Sequence, residues 1–252
     1  MKTRAAKEIA RALIDEGVRY AFGIPGTHNI ELYDVLAGTE GIETVLVTSE
    51  VAGAFVADGY SRSSDDVGVI NVVPGAGVTY SLSGIAEAWM DNVPMVVIAS
   101  GIRTDTGKAY QLHAIDQLAV LRPVTKSAVR VETANEIYPA IRRAFQIAQS
   151  GAPGPAAVEI PAQFLLERQE IGEVAFEPEP ELGRVPEQEL VERAAAMLAN
   201  AEAPAIYLGR GAAGAADLLV SLAEQLGAPV TTSFGSKGVY PESHPLWLWP
   251  GF

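Results

Sequence analysis

A chain of 252 residues, 48% apolar and 19% charged, has room for one full domain and part or all of a second, and is too apolar for a disordered segment. A formal charge of −13 argues against a nucleic-acid partner or an anionic membrane surface, since both need a basic footprint. The absence of cysteine excludes disulfides and thiolate metal sites, and the wide spacing of His28, His113 and His244 argues against a histidine metal cluster, so no metal ligands are assigned.

The opening MKTRAAKEIARALIDEGV is charged throughout and lacks the apolar core of a signal peptide. No apolar run approaches the ~20 residues of a membrane span, and the expectation is a soluble, cytoplasmic chain. Ala6, Ile9, Ala10, Leu13 and Ile14 recur at helical spacing before Gly17. Tyr20–Ile24 reads as a strand entering the turn Pro25-Gly26, Leu32–Leu36 as a helix, Thr44–Thr48 as a strand and Val51–Ser61 as a helix. Val67–Val73 is a continuous apolar run, the mark of a strand covered on both faces of a parallel sheet. Pro74-Gly75-Ala76-Gly77 breaks it, and Val78–Met90 resumes helical spacing. Strand Met95–Ser100, a polar loop to about Gln111, strand Ser127–Val131, helix Ala134–Gln149 and strand Ala156–Ile160 follow. This rhythm predicts an α/β fold with a parallel sheet and helices on both faces.

Between Glu167 and Glu192 stand nine glutamates and two basic residues, Arg168 and Arg184, and the Glu- and Pro-rich stretch Glu167–Pro186 reads as a solvated linker. The predicted division is a first domain over 1–165, a linker over 166–186 and a partial, Rossmann-like domain over 187–252. The last is expected to hold helix Glu187–Asn200, strand Ala205–Leu208, helix Ala212–Leu226 and strand Pro229–Thr232. Two strands do not make a self-sufficient sheet, so the expectation is a piece of something longer or a chain completed by another subunit.

Gly209–Gly214 matches G-x-G-x-x-G after a strand and before a helix. The acidic residue that would hold a ribose at the end of the next strand is missing from Val230-Thr231-Thr232-Ser233, which disfavours a Rossmann-type oxidoreductase. GIRTDTGKA (101–109) mimics a phosphate loop, but its spacing is one residue too long and Ala109 stands where a hydroxyl would hold magnesium. No G-x-S-x-G elbow occurs. Glu50, at the exit of Val45-Leu46-Val47 and before the small residues Ala52, Gly53 and Ala54, stands where α/β sheets place ligands. Desolvation there suits a carboxyl that holds or passes a proton near neutrality. Gly75 and Gly77 let backbone approach a ligand, or simply make a tight turn; His28, Gln111 and His113 are polar residues in further loops. If every strand is parallel, loops 24–28, 49–53, 73–79 and 110–116 open at one sheet edge.

FGIPGTHN (22–29), SEVAGAFVADGYSR (49–62), GAGVT (75–79) with SGIAEAWMDNVPMVVI (83–98), PVTK (123–126) and GAPGPAAVEIP (151–161) together resemble thiamine-diphosphate-dependent enzymes. The resemblance is to the acetolactate synthase, benzoylformate decarboxylase and benzaldehyde lyase group. It implies that the first domain binds the cofactor's pyrimidine and that the remainder opens a central domain. It implies that Glu50 hydrogen-bonds a ring nitrogen of the aminopyrimidine and favours the tautomer that removes the thiazolium proton. Pro25, Gly26, Val73, Gly75 and Thr79 are then the candidate cofactor contacts, and His28 and Gln111 stand beside the substrate carbonyl. The implied substrates are 2-oxo acids or aldehydes. Ala76 replaces the family's usual Pro, Tyr80 its usual Asn, and His113 and Asp116 depart from the Phe-Gln-Glu pattern of acetolactate synthases. No Gly-Asp-Gly segment for Mg²⁺ and diphosphate occurs, so a homo-oligomer or a complementary diphosphate-binding subunit is the implied partner; FAD, present in some relatives, is not supported by any residue here. A non-catalytic binding or regulatory protein retaining only the fold is the competing expectation.

Overall fold

Neighbouring residues of the central strands belong to different cores, and this alternation builds the first unit. A computed structural model describes residues 2–108, 110–180 and 185–251, so Ala109 and the linker positions 181–184 lie outside the described residues. The chain divides into two compact units, residues 1–181 and 182–252.

In the first unit, β1 (Lys2–Arg4) precedes α1 (Ala6–Asp15), β2 (Tyr20–Gly23), α2 (Ile30–Ala37), β3 (Glu43–Leu46), α3 (Glu50–Ser63), β4 (Gly68–Val72) and α4 (Ala76–Met90). Then come β5 (Met95–Gly101), α5 (Gln117–Leu121), β6 (Ser127–Arg130), α6 (Ile137–Gln149), β7 (Pro155–Pro161), α7 (Ala162–Leu166) and β8 (Arg168–Glu170). Six strands form one parallel sheet in the order β3-β2-β4-β5-β7-β6. Val69, Val96, Ile98, Val158 and Ile160 face α1, α2 and α6 through Ile9, Leu13, Leu36, Ile141 and Phe145. Ile70, Val72, Val97 and Ala99 face the opposite way, onto Ala54 and Ala57 of α3 and Val78 and Ile85 of α4. Every residue of β4 and β5 is buried, as the unbroken apolar runs require of central strands. Each fully buried Val or Ile contributes roughly 1.5–3 kcal/mol by leaving water. Gly84 lets α4 lie against α3, since a Cβ there would sit 2.6 Å from that of Ala54.

Two of the sequence motifs are structural. Lys126 of PVTK donates at 2.5 Å to the carbonyls of Ile147 and Ser150, satisfying the carboxyl end of α6, and Gly154 of GAPG packs along its stem. Part of the expected linker also has structure. Arg168–Glu170 pairs antiparallel with Lys2–Arg4, and Phe176 packs against the first core beneath Arg142 and Arg143.

The second unit holds α8 (Gln188–Ala199), β9 (Ile206–Leu208), α9 (Ala216–Leu226) and β10 (Val230–Thr232), with β9 and β10 paired parallel. Its core gathers Leu208, Ala223, Val230 and Tyr240. The predicted helix from Ala212 begins instead as a 3₁₀ turn, Arg210–Ala215. No helix among the described residues is long and apolar enough to cross a membrane.

Candidate active site

The strand order reverses between β2 and β4. The chain leaves β2 through α2 beneath one face to reach β3, and returns from β3 through α3 over the other face to β4. The loops after these strands part at their carboxyl ends, which opens the crevice where such sheets bind ligands. The six strands of this sheet being parallel, the loops after β2, β3, β4 and β5 leave the same edge.

The first loop is folded by a residue that the sequence reading passed over. Asn29 is fully buried; its side-chain oxygen accepts from the Gly26 N–H at 2.6 Å, and its amide donates to the Ile24 carbonyl at 3.3 Å. An Asn just before a helix was the available signal. Gly26 is thereby held against Val73, whose Cγ1 would lie 2.7 Å from a Cβ at position 26. The other methyl of Val73 would lie 2.7 Å from a Cβ at Gly77. Val73 is thus wedged between two glycines, one from each loop.

Glu50 is the first residue of α3 and is half-buried. Its Oε1 would be 3.4 Å from a Cβ at Gly77, so the first turn of α4 runs directly past the carboxylate. That carboxylate makes no hydrogen bond or ion pair with another described residue. Behind it lies Tyr33 of α2, its hydroxyl buried over Gly23 and beside Asn71. Burial pushes the Tyr33 phenol well above its ordinary range; Asn71 opposes this and the charge of Glu50 adds to it.

The third loop closes on the same turn. Gly75 has φ +65°, and a Cβ there would meet the His113 carbonyl oxygen at 2.7 Å. His113 itself has φ +67°, and its ring lies 5.5 Å from that of His28, centre to centre. The Nδ1 atoms of both rings are buried without a partner among the described residues. Burial, and then the proximity of His113, lower the pKa of His28. Gln117, buried, fastens the loop: its oxygen accepts from Gly75 N–H at 3.3 Å and its amide donates to the Ser100 carbonyl at 3.0 Å.

The structure therefore brings together Gly26, Val73, Gly77 and Glu50 on one side of the α4 turn, and Gly75, His113 and His28 on the other. Pro25 is exposed at the rim of the first loop. Thr79 is exposed one turn into α4, its hydroxyl donating to the Ala76 carbonyl at 3.1 Å. Gln111 is turned onto its own loop, donating to the Arg103 carbonyl at 2.8 Å. His113 is set against His28.

A family model described as "Thiamine pyrophosphate enzyme, N-terminal TPP binding domain" matches residues 3–120. A second, "Thiamine pyrophosphate enzyme, central domain", matches residues 191–251. The chain belongs to the thiamine pyrophosphate enzyme family. Among curated members it is 33% identical over 249 residues to the acetolactate synthase large subunit of Buchnera aphidicola subsp. Acyrthosiphon pisum, covering 95% of this chain and 43% of that protein. It is 34% identical over 245 residues to the acetolactate synthase isozyme 3 large subunit of Escherichia coli, with the shares again 95% and 43%. It is 37% identical over 249 residues to the probable 2-ketoarginine decarboxylase AruI of Pseudomonas aeruginosa, covering 96% and 44%. The chain spans less than half the length of these relatives. The carboxylate beside the glycine turn and the two buried imidazole nitrogens, none with a hydrogen-bond partner among the described residues, are the polar atoms this crevice offers a ligand.

Proposed function

We propose that this chain supplies the pyrimidine-binding half of a thiamine-diphosphate-dependent enzyme that decarboxylates 2-oxo acids or transfers the resulting acyl unit to a carbonyl acceptor. The observation that carries the reading is the Glu50 carboxylate, without a hydrogen bond or ion pair among the described residues and facing the Gly77 turn at the sheet's switch point. Bound thiamine diphosphate supplies an electron sink for bonds broken or made beside a carbonyl carbon. Glu50 holds the proton at a ring nitrogen of the aminopyrimidine, beside Val73 wedged between Gly26 and Gly77. Pro25, Gly26, Gly75 and Thr79 border the same turns and are assigned with Val73 to holding the ring.

His28 and His113 are assigned to the substrate side, where their unpaired nitrogens orient a carbonyl oxygen and move a proton to or from it. Gln111 acts there by holding the loop that carries His113. Among the described residues, those gathered around Glu50 include no cation, and diphosphate binding calls for cations, a metal or a nest of N–H groups. The diphosphate and its Mg²⁺ are therefore assigned to a complementary diphosphate-binding domain, whether on a second copy or on a separate subunit.

Calorimetric titration of thiamine diphosphate and Mg²⁺ tests this, with the chain alone and with the chain mixed with the diphosphate-binding portion of a relative. Saturable binding in the mixture that Glu50→Gln weakens supports the reading. Binding indifferent to Glu50→Gln overturns it.

A further inference from the structure

Two rules of local electrostatics are broken side by side around the start of α1. Arg4 and Arg168 stand directly opposite one another in the antiparallel β1–β8 pair, where like charges destabilise a ladder. Lys7 lies in the first turn of α1, where the helix dipole favours anions over cations. Arg4, Lys7 and Arg168 line one cavity, of volume about 790 Å³, in the groove between α1 and α2.

The cavity does little to neutralise them. Asp34 is its one carboxylate among the described residues, and Arg4 takes it at 2.7 Å. Arg11, on the same wall, is occupied by Glu8 at 2.6 Å and the Val174 carbonyl at 3.1 Å, and lies over the Tyr138 ring. Lys7 and Arg168 are exposed and have no side-chain partner among the described residues. In a chain of charge −13, unneutralised cations converge on a groove whose floor is Ala10, Ile14 and Val35.

We propose that this groove binds a small organic polyanion, its negative charges between Arg168 and Lys7 and its body on the apolar floor. Such a ligand turns both faults into attractions: it bridges the facing arginines and lies at the positive end of α1. The volume falls within the roughly 300–1,000 Å³ range of small-molecule sites. Guanidinium forks suit phosphate and carboxylate alike, so the common chemistry is a planar or tetrahedral oxyanion carrying at least two charges.

The test uses the 252-residue chain with inorganic pyrophosphate and citrate as probes, titrated calorimetrically at about 0.15 M KCl so that unspecific attraction is screened. One saturable site per chain is expected; tighter pyrophosphate binding identifies a phosphorylated ligand, and tighter citrate binding a polycarboxylate. Lys7→Ala and Arg168→Ala each weaken binding about tenfold or more, the loss expected for a charge-assisted contact. Arg168→Glu abolishes binding while raising the thermal midpoint of the ligand-free chain, because it places opposite charges across the β1–β8 pair. A fold failure therefore cannot imitate the expected result. Lys108→Ala, a cation removed elsewhere, and Glu50→Gln keep binding within about twofold, which separates this site from the cofactor reading. Absence of saturable binding by both probes, or undiminished binding in Arg168→Glu, overturns the proposal.

Discussion

Two glycine-rich turns in this chain follow a parallel strand and lead into a helix, and they differ in what presses on them. In the turn after β4, a side chain at Gly75 or Gly77 would meet His113 or Val73 at 2.7 Å, and Gly75 takes a positive φ. In the turn after β9, a Cβ at Gly209, Gly211 or Gly214 meets no atom within 4 Å, and the backbone passes through a 3₁₀ turn. The first turn has three elements folded against it, together with a carboxylate and two imidazoles. The second has a better motif and open space where its glycines lack side chains, although Ala212 beside them packs against the second core. A glycine pattern marks a site where neighbouring atoms claim the space of the missing Cβ.

The largest effect that would break this contrast is on chemistry. Glu50→Gln in the assembled enzyme should slow turnover by about 10²–10⁴-fold with the fold intact, the range typical of a lost proton-transfer group. Deuterium exchange at the thiazolium carbon checks the step directly; wild-type exchange in the mutant would remove Glu50 from it. The next effect is on stability. Gly75→Ala should cost roughly 1–3 kcal/mol in denaturant unfolding, from the strained φ and the contact with His113.

A smaller effect concerns His28. Its pKa is lowered on folding, by burial first and by His113 second, from the ordinary 6.5. The unfolded chain therefore takes up this proton more readily than the folded one, so its contribution is complete above 6.5 and is lost as pH falls through the folded value. Thermal midpoints between about pH 8 and pH 5 should decline at the acid end, and His28→Gln should flatten part of that decline. The smallest effect is the control: Gly211→Ala should change stability by no more than about 0.5 kcal/mol, measured in the same denaturant series. A cost there matching that at Gly75 would erase the distinction between the turns.

Much of the first unit was legible because its strands are long and apolar. Val67–Val73 and Met95–Ser100 could be read as central strands, since only burial on both faces tolerates such runs. The pairing of Lys2–Arg4 with Arg168–Glu170 was not, because short charged strands carry no alternation and their partners lie far apart in the chain. Helices α5 and α7, five residues each, are too short to show a period. In the site, Glu50 could be singled out from its place after a strand. Asn29 offered a signal in its place just before a helix, whereas Gln117 offered none, because its hydrogen bonds reach Gly75 and Ser100 in segments distant along the chain.

The sequence by itself determined the α/β class, the family and the position of Glu50, since each rests on residues near one another along the chain. Tertiary structure alone decided that His113 meets His28, that Val73 is held between two glycines, and that Arg4 faces Arg168. Those are facts of register and loop closure. They arise where segments distant in sequence are brought within contact distance, and no local pattern of residue types encodes them.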